Sequence, residues 1–202
     1  MKKLVLVLIS LLIFNTTYAD SPLTNTDFYY AYQDVLLVKK ARQAKGELTN
    51  DMLSYLANSN NKLDVKLAII NAIGWNHKGV NNSEKFKQYL NTTKKYGNAL
   101  KIKATADELI CYAYLKSLDD YFNVVIANEF AELAVKKNPG SFAINMISGL
   151  IKVQDLVFTK KYCAAFHQFN QLKNNSKLMM DMRLSSKKHV FEYMDFVGSK
   201  CD

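Results

Sequence analysis

Proline occurs at only two positions, Pro22 and Pro139, and no stretch alternates apolar and polar residues between turn dipeptides. Where proline is this sparse the chain meets few obligatory helix breaks, and without a period of two nothing fits a half-buried strand. The pattern therefore predicts an all-α fold. Glycine, present seven times, falls mainly where helices should stop.

Helix signals recur along the chain. Thr26 and Asp27 read as an N-cap and first turn, followed by apolar Phe28, Tyr32, Val35, Leu36 and Val38, with Gly46 just past the end, so one continuous helix is expected there. Thr49 caps a short helix running to about Asn58. Further helices are expected up to Gly74, from "NNSE" at 81–84 to Gly97, over 100–118 and 120–137, and over 141–157 and 160–173. Second-helix endings at Gly97, Gly140 and Ser176 are spaced 43 and 36 residues, and Leu67, Leu109 and Ile144 in the first helices are spaced 42 and 35. Nearly matching spacings predict stacked antiparallel helix hairpins, whether as an α-solenoid or as an irregular helical bundle. The segments 120–137 and 141–157 are apolar around most of their circumference, which places them at the centre of the molecule.

The segment from Tyr121 to Pro139, with Ala127, Ala134 and Pro139 at seven- and five-residue intervals, resembles the second helix of a tetratricopeptide repeat. In the first helix Leu115 and Leu118 stand where that family has glycine and tyrosine. The resemblance covers about one repeat. It implies a right-handed stack of helix pairs and protein–protein binding, and it carries over no functional residue.

The chain opens MKKLVLVLISLLIFNTTYAD: two lysines, an apolar run, then small residues at Thr17 and Ala19. This is the pattern of a secretory signal peptide over 1–19, cleaved after Ala19, which leaves 20–202 as a single all-helical domain. The run from Leu4 to Phe14 reaches only about 16 Å as a helix, half of the roughly 30 Å a bilayer core demands. An exported chain is expected to be periplasmic or secreted. Losing Lys2 and Lys3 takes the formal net charge from +9 to +7. Export argues against nucleic acid as the partner and turns attention to anionic envelope surfaces. Three of the five Lys-Lys pairs beyond residue 19 fall in expected last turns of helices, where the dipole alone stabilises them.

Three cysteines in an oxidising compartment imply one bridge and one leftover thiol. Cys111, in "DELICYAYL", reads as a small buried hydrophobe. Cys163 and Cys201 are expected to pair, stapling a chain end that would otherwise fray. For the two to meet, the returning segment has to be shortened, and "RLSSKK" at 183–188, with Ser185 or Ser186 as N-cap, is expected to mark a break in it.

Signs of chemistry are sparse. His77, His167 and His189 have no partner at metal-ligand spacing, and neither a nucleophile elbow nor a phosphate loop occurs. No metal or other cofactor is expected. Glu108 reads as a helix-start residue, and Glu129 and Glu132 as partners of Lys136. The strongest candidate for recognition is the inter-helix loop "GWNHKGVNNSE" at 74–84, with Trp75, His77 and Lys78, because loops carry function and tryptophan is favoured in binding hot spots. The competing reading folds Trp75 back over the helix pair as part of the core. These features predict a non-catalytic exported protein that binds another cell-envelope protein as scaffold, adaptor or inhibitor of the immunity type. The alternatives are an exported wall-glycan-acting enzyme and a basic module adhering to anionic surfaces.

Overall fold

The computed structural model describes residues 21–75 and 79–201. The segment 1–19, expected to be a signal peptide, and His77 and Lys78 lie outside the described residues. The described chain is all-helical. A 3-10 turn at Phe28–Tyr32 precedes α1 (Leu36–Gln43), α2 (Asn50–Ala57), α3 (Leu63–Ile73) and α4 (Asn82–Lys94). A second 3-10 turn at Gly97–Ala99 leads into α5 (Leu100–Lys103), α6 (Ala106–Asp119), α7 (Val125–Lys137), α8 (Phe142–Phe158), α9 (Tyr162–Asn170) and α10 (Leu184–Gly198). Among the described residues there is no strand. A single parallel bridge joins Ser141 to Met179, with Phe142 N–H donating to the Met179 carbonyl at 3.1 Å.

Local chemistry explains most boundaries. The Gly74 backbone at φ 67° lets α3 stop abruptly. Thr105 and Glu108 close a reciprocal capping box on α6, and Ser141 Oγ accepts from Ile144 N–H to start α8. Lys137 Nζ donates to the carbonyls of Ile102 and Ala104, which terminate the single turn of α5.

The expected first helix is instead broken in two. Thr26 caps nothing, its hydroxyl donating to the Pro22 carbonyl at 2.7 Å. The cause of the break is tertiary: Arg183 Nη1 donates to the Ala31 carbonyl at 2.6 Å, the group that Val35 N–H would use in a continuous helix. Val35 N–H turns to Tyr32 O instead. The same guanidinium forms a bidentate pair with Asp34 and lies 4.5 Å from the centre of the Tyr32 ring.

Consecutive helices from α6 to α10 pack against one another, α6 also meets α3, α4 and α8, and α10 returns to the 3-10 turn near the start of the described chain. The centre differs from the expected one. α8 is buried on most of its surface, but its central partner is α6, where Leu109 to Leu115 are all buried. Helix α7 starts only at Val125, and Val125 and Ile126 remain exposed.

Cys163 and Cys201 lie at disulfide distance, their Cα atoms 5.1 Å apart, within the range a bridge requires. The path is shortened as needed, but by an irregular connection over 171–183 rather than by a serine cap. Arg183 is the N-cap of α10, and Ser186 is buried inside its first turn. Cys111 is a free buried thiol. No described helix is long and apolar enough to cross a membrane.

Candidate functional site

Of the loop between α3 and α4, the described residues at its two ends have different roles. Its "NNSE" end is committed to holding the fold. Asn81 Oδ1 accepts from Glu84 N–H at 3.0 Å to cap α4, while Asn82 Oδ1 accepts from Leu48 N–H and Asn82 Nδ2 donates to the Gly46 carbonyl, both at 2.9 Å. Asp119, the last residue of α6, accepts from Asn82 N–H at 3.1 Å and Ser83 N–H at 2.6 Å. The start of α4 and the turn that precedes α2 are thereby satisfied by side chains, as buried backbone groups require.

Trp75 leaves the loop and joins rings from two other places in the chain. It stacks on Tyr121 with centroids 4.9 Å apart and planes 20° from parallel, and it meets Phe122 edge-on at 6.5 Å. Phe122 stacks on Phe158 at 5.5 Å, and Phe158 sits edge-on to Tyr121 at 5.3 Å. Tyr121 and Phe122 are brought there because α6 ends at Asp119 and the chain must turn before Val125. Phe158 is the last residue of α8.

Burial separates the roles of the four rings. Tyr121 is only 3% exposed and shares a hydrogen bond with the Thr24 hydroxyl at 3.1 Å, so it is the foundation. Phe122 is 74% exposed, Val125 73% and Trp75 36%. Trp75 thus covers Tyr121 with one face while about a third of its surface stays exposed. Aromatic rings left in water beside apolar Val125 and Ile126 form a patch of the kind that marks a binding surface.

Other candidate residues are accounted for by structure. Burial pushes the Glu108 carboxyl up, but the Lys94 ammonium, the Thr105 N–H and the Tyr96 hydroxyl outweigh it and hold the group below the usual carboxylate range. Glu129 pairs with Lys101 rather than with Lys136. Burial pushes the Cys111 thiol up. His167 is exposed beside Phe166, and His189 lies 3.9 Å from Glu192. Among the described residues no group of three histidine, cysteine or acidic side chains has the arrangement to hold a metal ion.

Sequence reasoning found Trp75 and missed Phe122 and Phe158. The available signal was "DDYFN" at 119–123, two adjacent aromatics directly after an acidic pair at a helix end. No family model, no curated protein and no solved structure matches the chain.

Proposed function

We propose that this is an exported helical module that binds another protein of the cell envelope, as scaffold, adaptor or inhibitor, through the surface of Trp75, Phe122 and Phe158. One observation supports this reading above the rest: Phe122 keeps most of its ring in water while stacked on a partner ring, supported from below by buried Tyr121. A rigid, pre-positioned aromatic group is what binding hot spots use, because docking then costs little side-chain entropy. The leader pattern at 1–19 supports export, and the hairpin packing of α6 to α9 agrees with the tetratricopeptide-like reading without requiring it.

The experiment is site-specific photo-cross-linking from position 122 in the native envelope. A discrete protein adduct, lost when Trp75 and Phe158 are both replaced by alanine, is the expected result. Cross-linking only to lipid or glycan, or none at all, overturns the reading.

A further inference from the structure

The exposed rings stand at the mouth of a furrow that the aromatic patch alone does not explain. Between α7, α8 and α9 two hollows of about 340 Å³ and about 360 Å³ share Asn128, Lys152 and Gln168 as lining residues, and Phe122 and Val125 close one end. The buried part of the furrow's lining, Val153 and Phe169, is apolar, and it is close-packed: a Cβ at Gly149 of α8 would stand 3.0 Å from Phe169 of α9 and from Leu172 just beyond it. Asn128 and Gln168 line the shared stretch, and Gln171 lines the far part. Among the described residues no group of the chain hydrogen-bonds to any of these three side-chain amides.

The geometry points to this furrow as the seat of an extended, uncharged polypeptide segment of the partner, a proposal that rests on the protein-binding reading above. Three features select that chemistry. First, each primary amide presents two donors and an acceptor, the complement of a peptide N–H and C=O pair, whereas a helical ligand would have its backbone groups already used. Second, Lys136 and Lys152 are offset by Glu132 and Asp155, so the furrow exerts little net pull on an anionic polymer such as nucleic acid. Third, the only rings that line the furrow are buried Phe169 and, at the mouth, Phe122, so a glycan would lack stacking partners along most of its length. An extended chain instead alternates its side chains, one toward the apolar floor and the next toward the rim. The α7 face from Val125 to Lys136 is about 16 Å long, room for about five extended residues at roughly 3.3 Å each. An aromatic or large aliphatic residue at one end of such a segment would meet Phe122.

The test uses the oxidised mature chain and phage-displayed random heptapeptides as the probe, with synthetic versions of selected peptides measured by fluorescence anisotropy. The expected ligands are uncharged, with apolar residues at alternate positions. Gln168→Trp, which fills the shared stretch, should weaken binding at least tenfold, and Asn128→Ala with Gln168→Ala about tenfold, as expected for two lost hydrogen bonds. Circular dichroism checks that helix content is retained. Should Gln168→Trp disturb the fold, the alanine pair, which only truncates partly exposed side chains, decides the question. Selected peptides that bind all variants equally overturn the proposal, as does a furrow that takes a chito-oligosaccharide, displaced by Gln168→Trp, and no peptide. If the furrow variants are silent while the adduct from position 122 persists, the furrow fails and the protein-binding reading survives. If that adduct is absent too, both fail.

Discussion

Lys66 and Cys111 show how single side chains are accommodated in the middle of this core. Lys66 is 1% exposed and sends its ammonium to Asp107 at 3.2 Å, so its long apolar stem is buried while its charge is paired. Cys111 has no such outlet. Burial disfavours its thiolate, and only a thiolate attacks alkylating reagents at a useful rate. The folded chain should leave Cys111 unmodified by iodoacetamide at pH 8 and gain one carbamidomethyl group only in denaturant, as read by intact mass of the oxidised protein. Glu108 tests the opposite case. Its folded pKa is depressed, so the stability it contributes is present above its unfolded value, near 4.5, and is lost as pH falls through the folded value. Glu108→Gln should cost about 2 kcal/mol at neutral pH, since Lys94 loses its ion pair and Tyr96 and Thr105 lose a charged acceptor. In urea melts the gap between the two proteins should be full at pH 6 and narrow steadily below pH 4.5.

Among the elements, those with local stop and start signals were readable and those shaped by distant residues were not. Gly74 and Ser141 act within a few positions of themselves, and the helices they bound lie close to where periodicity puts them, whereas the single helix expected over 100–118 is split, because the Thr105–Glu108 capping box starts α6 only at Ala106. The break between the 3-10 turn and α1 depends on Arg183, about 150 residues away, which takes a carbonyl that the local pattern assigns to the helix. No window of the sequence contains both groups. The late start of α10 is similar, because its entry is set by Arg183 bonding to Tyr32 and Asp34 and not by Ser185 or Ser186. The end of α10 is held against α9 by two further devices. Gly198 lies where a Cβ would stand 2.6 Å from the Phe166 ring, and Cys163 and Cys201 lie at disulfide distance. Gly198→Val should therefore lower stability by about 1–3 kcal/mol through overpacking, measured as a shift in the urea midpoint. With a separation of 38 residues, Cys201→Ala should cost up to about 4 kcal/mol in the chain-entropy model, and a reducing agent should reproduce that loss in the wild type and have no effect on the variant.

Across the whole molecule, the candidate site was only partly readable because it is assembled from three separate chain segments that helix packing brings together. Trp75 was conspicuous as the sole tryptophan in a loop, but Phe122 and Phe158 look like ordinary core residues until α6 and α8 are seen to end on the same side of the fold. Sequence periodicity cannot report this, since it describes the faces of helices and not which of their ends coincide. The assembly makes stability and binding separable. Tyr121 is buried, stacked on Trp75 and bonded to Thr24, and Tyr121→Ala should cost about 3 kcal/mol or more, as cavity formation in an aromatic core does. Phe122 exposes most of its surface, so Phe122→Lys forfeits little burial and only the ring contacts, about 1 kcal/mol. A binding surface and a merely tolerated aromatic respond differently to that substitution. If the patch docks a partner, Phe122→Lys should abolish the adduct formed by a photo-reactive group placed at Trp75 while the urea midpoint stays close to wild type. A variant that keeps the adduct, or one that loses it only in proportion to lost stability, would show that the rings serve the fold alone.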